Sequence, residues 1–339
     1  MNFWSDLMEL CNFDKPQTLF AHAKLNLRLK VLGRRPDGYH LLSMLNVLST
    51  LRDIVTLQIT EKNLISLEVV PLPNSLGPIT IDAPAEHNLV VRAWRAFWSE
   101  FANSEPPFGV RIRLEKAIPV GAGLGGGSSD AGAVLRFLTR SFSVGIQERI
   151  KISTSEFDRR VMRVALSLGA DVPYAYFGGI AWVSGVGEIV APLNGFRGFK
   201  QRVLISIPRV SVATGELYSF FRDQYPEISL FSAEAALGVD TALSALVDRG
   251  LDGAELVRLY PELICNDFEG SIICFRPEVG ELLTLARESL PGVSSITGSG
   301  SAIFSIVTDS VDVLRYREVA AQLGAQVWDG WMGVCDVGE

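Results

Sequence analysis

Cysteine and histidine are scarce in this chain. Its 339 residues hold four cysteines, Cys11, Cys265, Cys274 and Cys335, and three histidines. No Cys-x-x-Cys occurs, and no histidine lies at zinc-site spacing from a cysteine. The cysteines therefore read as reduced thiols of a cytoplasmic protein rather than as a metal or disulfide framework. Long apolar runs are missing too. No stretch reaches the 18 or so residues that a membrane span needs, so no membrane partner is expected. Positive charge is in deficit: 31 Lys and Arg stand against 38 Asp and Glu, a formal net charge of −7. That excludes a general nucleic-acid binder, which needs a basic field, but allows a local basic patch around a phosphate. The first residues lack a basic stretch and soon carry Asp6, Glu9 and Asp14, unlike a signal peptide. There, Trp4, Leu7, Met8 and Cys11 fall at helical spacing and predict a short docking helix. Neither an internal repeat nor a low-complexity tract is present. The rest is ordinary: 48% hydrophobic and 20% charged residues describe a globular chain long enough for two domains.

What the chain has in abundance is glycine, concentrated in Lys116-Ala-Ile-Pro-Val-Gly-Ala-Gly-Leu-Gly-Gly-Gly-Ser-Ser-Asp130. Such a loop can turn several backbone N–H groups toward one point without Cβ atoms in the way. Behind it, Ala131, Val134, Leu135 and Leu138 share one face at helical spacing. A glycine turn feeding a helix N-terminus is an anion site, because orphan N–H groups and the macrodipole both favour negative charge. Gly121-x-Gly123-x-x-Gly126 also matches the dinucleotide fingerprint. A Rossmann unit, however, wants that motif in an early strand–turn–helix with an acidic residue at a strand end about 20 positions on. Here the nearest acidic candidate, Glu148, sits in a polar stretch. No Gly-Lys-Ser/Thr follows the loop, so the Walker pattern is absent. A tight turn in which backbone packs on backbone remains the structural alternative.

The pattern along the chain predicts α+β layers rather than regular βαβα alternation. Residues 18–31 read as a strand, and Lys24 and Asn26, two apart, project from one face. Residues 33–38 form a turn followed by Tyr39 and His40. Strands are expected at 54–59, 64–70, 79–81 and 110–114, the last feeding the glycine loop. Residues 88–101 are helical with Asn88 as N-cap. Residues 140–155 are polar and read as a surface loop or short helix, and a helix over 161–168 ends at Gly169. Pro173 biases Val172 to extended geometry, which puts Asp171 at the helix end or just beyond. Strands at 180–183 and 203–207 flank a turn at 185–187. A mainly helical stretch runs to about residue 290. Thr297-Gly298-Ser299-Gly300-Ser301 is a second small-residue turn inside 294–307. Val327 and Trp328 mark a last strand.

Several separated segments together resemble the GHMP small-molecule kinases. They are Ala23–Leu27, Gly33-Arg34-Arg35-Pro36-Asp37-Gly38-Tyr39-His40, Asn88–Ala93, Ile118–Ser129, Leu168–Pro173, Thr297–Ser301 and, more weakly, Asn266–Glu269. The glycine loop alone carries only the superfamily. The Gly-Arg-Arg-Pro-Asp-Gly-Tyr-His string is narrower and is similar to the diphosphocytidyl-methylerythritol kinase family. The chain departs from that pattern at His22, where the family usually has proline. It also has residues 1–19 before the family's usual start, and greater length in its second half.

The resemblance implies a two-domain α+β fold. Its N-terminal domain, residues 1–185, would be like ribosomal protein S5 domain 2, completed by a last strand at 326–339. Its C-terminal domain, 186–325, would be ferredoxin-like and bind substrate. The implied reaction is transfer of the ATP γ-phosphoryl group to the 2-hydroxyl of a methylerythritol bearing a cytidine diphosphate. By the same resemblance Asp171 would be the general base, and Lys24 would keep it ionised and offset developing charge. Asn26 and Thr214 would contact the substrate, and Tyr39 and His40 its cytidine. Asn88, Leu89 and Lys116 would lie near adenine and ribose. Pro119, Gly121, Gly123, Leu124, Gly125, Gly126, Gly127, Ser128 and Ser129 would cradle the phosphates, with Gly298, Ser299 and Gly300 closing on them. Magnesium is expected with ATP, yet the sequence offers no distinct cage for it. Asp130 would point away from the phosphates or toward that magnesium. The alternatives are a homoserine-, mevalonate- or galactose-type kinase, a non-catalytic nucleotide-binding protein, and a dinucleotide-dependent oxidoreductase.

Overall fold

The computed structural model describes residues 15–60, 64–73, 75–76, 79, 84–102, 108–193, 199–226, 261–307 and 312–333. The helix expected at Trp4–Cys11, most of the strand expected at 79–81, the helical stretch across 227–260 and residues 334–339 lie outside these.

The scaffold is a long antiparallel hairpin of β1 (Gln17–Arg34) and β2 (His40–Thr60), paired from Gln17↔Leu57 to Arg34↔His40. Alternation over residues 22–27 of β1 separates two sets of side chains. Ala23, Leu25 and Leu27 enter an apolar layer with Leu45, Val47, Val203, Ile205 and Phe304. His22, Lys24 and Asn26 take the opposite face, and all three are buried as well. A strand covered on both faces can carry a buried lysine only if a partner meets it.

β2 is the hub of the sheet. It pairs with β4 (Gly109–Lys116) through Ile54–Thr60, with β5 (Ala181–Gly185) through Leu42–Asn46, and with β11 (Gln326–Gly333) at Leu48 and Ser49. β3 (Ile65–Pro71) runs parallel to β4 at one edge, and the short β8 (Cys265–Asn266) runs parallel to β1 at Arg28 and Leu29. From β11 the sheet continues through β7 (Lys200–Ile207) and β10 (Ile303–Val307) to β9 (Gly292–Ile296). The predicted last strand thus lies between β2 and β7 and joins the two halves of the chain.

On the first half, α1 (Leu89–Ala102), α2 (Gly126–Ile150) and α3 (Thr154–Leu168) cover β2 and β4. Their core includes Trp94, Phe97, Trp98, Phe142 and Phe157, all fully buried. In the second half α5 (Thr214–Gln224), α6 (Glu269–Phe275), α7 (Pro277–Ser289) and α8 (Val313–Gln322) pack around a core of Leu217, Phe221, Phe268, Ile272, Leu282 and Tyr316. β6 (Ile189–Pro192) forms a hairpin with β5 across the expected boundary at 185 and 186. We propose that the division between the halves falls after Pro192, which keeps that hairpin whole.

Two expectations change. The polar stretch from residue 140 is not a loop: α2 continues to Ile150, because Leu138, Phe142 and Ile146 recur every fourth residue and bury one stripe. Val172 is not extended. It opens α4 (Val172–Phe177), with Pro173 in the first turn, where its missing N–H costs no hydrogen bond. Asp171 thus lies just beyond the end of α3, as expected, and also holds the N-cap position of a new helix.

Candidate active site

The glycine loop leaves β4 at Lys116 and enters α2 at Gly126. Gly123 and Gly125 have φ of 78° and 68°, a region that side chains rarely adopt. At Gly123 a side chain is excluded a second time, since a Cβ would collide with the Thr297 carbonyl oxygen. A Cβ on Gly298 would stand 2.8 Å from the Gly123 carbonyl oxygen. The Ala302 N–H donates to the Ala122 carbonyl at 3.0 Å. The two glycine turns pack backbone on backbone, so the tight-turn reading accounts for Gly123 and Gly298.

The other end of the loop faces the cleft. Gly125 is the N-cap of α2, and the first helical amides, at Gly126, Gly127 and Ser128, have no acceptor within the helix. They and the macrodipole make a cradle for an anion. Ser129 does not join them. Its N–H donates to the Gly125 carbonyl at 2.8 Å and its hydroxyl to the His22 carbonyl at 2.7 Å, behind the cleft wall. Gly300 likewise lies behind the wall, and its N–H donates to the Thr297 carbonyl at 3.0 Å.

The cleft measures about 440 Å³. One end is apolar, lined by Val69, Leu89, Leu114, Ile118 and Pro119, a setting for a flat ring. Asn88 sits beside it, and its Oδ1 accepts the Val90 N–H at 3.1 Å, which fulfils the expected cap. The floor is the loop from Gly121 to Ser128, including Leu124. Lys24, Asp171, Thr214, Tyr218, Gly298 and Ser299 line the far end. Lys116 borders the apolar end, but its ammonium is turned inward to Asp53 and Asp130.

At the far end the Lys24 ammonium lies 3.0 Å from Asp171 Oδ1 and donates to Asn26 Oδ1 at 3.2 Å. The Asp171 side chain makes no capping bond to α4, which leaves it to Lys24 and the cleft. It is 35% exposed while Lys24 is 7% exposed, so a partner approaching from solvent reaches the carboxylate first. Asn26 was expected to touch substrate, but it is fully buried and its amide is consumed. Oδ1 accepts from Lys24, and Nδ2 donates to Asn46 Oδ1 at 2.6 Å. Its place is behind Lys24, fixing the direction of the ammonium. Its backbone N–H donates to Thr297 Oγ1 at 3.0 Å, which ties the strand to the second glycine turn.

A second cavity of about 320 Å³ adjoins the cleft, sharing Leu42, Ala170, Val186, Thr214 and Tyr218 with it. Arg34, Gly38, Tyr39, His40, Ser219 and Arg222 complete its lining. The His40 and Tyr218 rings lie 5.1 Å apart and tilted by 57°. Burial, reinforced by the Arg34 and Arg222 charges, pulls the His40 pKa below its ordinary value and keeps the imidazole neutral at pH 7. The Tyr218 phenol is pushed up by burial and by Asp171, so it stays protonated. Thr214 Oγ1 lies 2.9 Å from Ser299 Oγ, closing α5 onto the second glycine turn.

Tyr218, Arg222, Leu42, Val186 and Asp53 were missed from sequence. Tyr218 and Arg222 are one helical turn apart on α5, a signal indistinguishable from an ordinary amphipathic helix. Among the described residues no group of three or more His, Cys, Asp or Glu side chains could hold a metal ion. Among them, too, no helix is long and apolar enough to cross a membrane.

Residues 88–179, the stretch holding Asn88, the glycine loop and Asp171, match the family described as GHMP kinases N terminal domain. Fold and loop thus define a phosphotransferase of the GHMP small-molecule kinase class. The chain is 33% identical over 297 residues to 4-diphosphocytidyl-2-C-methyl-D-erythritol kinase of Pseudothermotoga lettingae, covering 85% of this chain and 91% of that protein. The enzyme of the same name from Polynucleobacter asymbioticus is 31% identical, covering 93% and 91%. A crystal structure of 4-(cytidine 5'-diphospho)-2C-methyl-D-erythritol kinase superposes with a TM-score of 0.66 at 29% identity, covering 94% of this chain and all of that one. A homoserine kinase from Cytophaga hutchinsonii, 18% identical with a TM-score of 0.60 over 93% and 94% of the chains, shares the fold. The chain belongs to the 4-diphosphocytidyl-2-C-methyl-D-erythritol kinase family.

Proposed function

We propose that the protein transfers the γ-phosphoryl group of ATP to the 2-hydroxyl of 4-diphosphocytidyl-2-C-methyl-D-erythritol, in isoprenoid precursor synthesis in the cytoplasm. The observation that carries this reading is the Lys24–Asp171 pair, 3.0 Å apart at the junction of the glycine cradle and the aromatic cavity. A group transferred from an anion on the loop to a hydroxyl entering from the second cavity must pass that pair.

The base of ATP occupies the apolar end of the cleft beside Asn88 and Leu89. Its phosphates meet the amides of Gly126, Gly127 and Ser128, with Pro119, Gly121 and Leu124 shaping the wall. The cytosine sits in the second cavity between Tyr39, His40 and Tyr218, where a neutral imidazole can hydrogen-bond the base edge. Asp171 takes the proton of the 2-hydroxyl as its oxygen bonds to the γ-phosphorus and the bond to the β-phosphate oxygen breaks, releasing ADP. Lys24 stabilises Asp171 as carboxylate and offsets charge on the transferring group. Asn26 contributes by holding Lys24. Thr214 and Ser299 close the cleft over the substrate. Magnesium would accompany ATP and neutralise charge on its phosphates, held chiefly by phosphate oxygens and water as this ion commonly is.

A coupled ADP-release assay tests the reading across alcohol substrates. ATP consumption is expected with the cytidyl substrate and not with homoserine, mevalonate or galactose. Turnover of one of those alcohols alone would refute it.

A further inference from the structure

The glycine loop is held at both of its ends by one buried cluster that the transfer chemistry leaves unused. β4 delivers Lys116 just before the loop, α2 delivers Asp130 just after it, and β2 supplies Asp53. Asp53 Oδ1 accepts the N–H groups of Ala117 and Ile118 at 2.6 and 2.8 Å, and Oδ2 accepts from the Lys116 ammonium. The same ammonium donates to Asp130 Oδ2 at 2.7 Å. The side chains of Lys116, Asp53 and Asp130 are 7%, 0% and 3% exposed. The segment between Lys116 and Asp130 carries the cradle amides of Gly126, Gly127 and Ser128, so the cluster clasps the base of the loop.

Two carboxylates share one ammonium here. If both are ionised, a net negative charge lies directly behind amides arranged for phosphates. Asp53 is fully bonded. Asp130 is not: its Oδ1 is buried and has no hydrogen-bond partner, a costly position for a charged oxygen. Burial, with Asp53 adding to it and Lys116 opposing, pushes the Asp130 pKa up to about 7. Burial alone would lower the Lys116 pKa, but the two carboxylates outweigh it, and Lys116 stays charged.

Other elements packed on α2 bring few charges to this point. β1 carries Lys24, held by Asp171 and Asn26, and His22, whose ring Nδ1 lies 2.9 Å from the Ser49 carbonyl oxygen. α1, α3 and α4 meet α2 through Val90, Val91, Trp94, Val161 and Val172. Arg136 of α2 itself is bonded to the Ala175, Tyr176 and Phe20 carbonyls.

We propose that Asp53, Lys116 and Asp130 form a proton-gated clasp under the loop, in which Asp130 takes a proton from solvent when ATP phosphates bind and returns it when the nucleotide leaves. The inference rests on the reading of the cleft as an ATP site. Asp130 acts through the loop and is a positioning residue. Bound phosphate anions favour the protonated acid, so by linkage protonation favours ATP, and affinity falls as pH rises through the Asp130 titration.

The test is calorimetry of ATP with magnesium chloride, without the alcohol, in buffers of low and high ionisation enthalpy. For the unaltered protein we expect net proton uptake near pH 7, and about fivefold weaker ATP binding at about pH 8 than at about pH 6. Asp130→Asn should lose that uptake, the difference from wild type removing ATP's own titration. Asp53→Asn removes the carboxylate that raises Asp130 and should move the uptake about one pH unit lower. In Asp130→Asn, steady-state KM for ATP should keep only the pH dependence that ATP's own titration gives it, while KM for the alcohol keeps its own. ATP binding by wild type without proton uptake, or with the same uptake in Asp130→Asn, would overturn the clasp. No ATP binding at all would remove the nucleotide reading and the clasp together.

Discussion

Lys24 and Lys116 stand at opposite ends of one cleft, and both ammonium groups are almost sealed from water. Their carboxylate partners differ. Asp171 is 35% exposed and opens to the cleft, whereas Asp53 and Asp130 are 0% and 3% exposed and face inward. The same pair of chemical groups therefore serves two purposes. A carboxylate that water and substrate can reach is able to exchange a proton during turnover. A carboxylate sealed from substrate holds structure in place, and it gains or loses a proton only as the loop above it binds or releases its ligand. Exposure of the acid, rather than identity of the base, separates the proposed reacting pair from the proposed clasp.

The largest expected break in that contrast is Asp171→Asn. Loss of a general base should lower kcat about 10³-fold, with ATP affinity by calorimetry near wild type. A kcat within tenfold of wild type would move the proton to another acceptor.

Exchanging each lysine for methionine sharpens the comparison. Lys116→Met leaves two buried carboxylates without their cation and should cost about 3–5 kcal/mol in urea unfolding. Lys24→Met leaves Asp171 partly hydrated and should cost far less stability, while kcat falls about 10²-fold. Equal stability losses would show that exposure of the carboxylate does not decide their roles.

The smallest expected effect lies in the second cavity. His40→Ala removes a ring that packs on Tyr218 and should raise KM for the cytidyl substrate about tenfold, leaving KM for ATP alone. A rise confined to ATP would place the base recognition elsewhere.

Much of the site could be read in advance because its segments carry their chemistry locally. The glycine loop announces an anion cradle by composition, and the two-residue spacing of Lys24 and Asn26 puts them on one strand face. Asn88 announces its own cap. What could not be read depends on distance. Asp53 lies in a strand whose alternation looks ordinary, and only pairing of Ile54 with Glu115 across β2 and β4 brings it to Lys116. Tyr218 joins His40 only because α5 folds back over the β1–β2 turn. The continuation of α2 past residue 140 was hidden by polar residues around a one-residue-wide apolar stripe.

The sequence by itself marked a backbone cradle for phosphate and a chain without a zinc motif or a basic field, which follow from residue type and near-neighbour spacing. The proton and charge roles proposed for Asp171 and Lys24, 147 positions apart, came from resemblance to the family rather than from local spacing. Tertiary structure decided which groups of like kind face water and which face one another. It turned the Lys116 ammonium into a buried pair of acids, gave the Asn26 amide and the Ser129 hydroxyl partners within the protein, and packed Gly123 against the second glycine turn. Those outcomes depend on desolvation, which is fixed only when distant strands and helices close over a side chain.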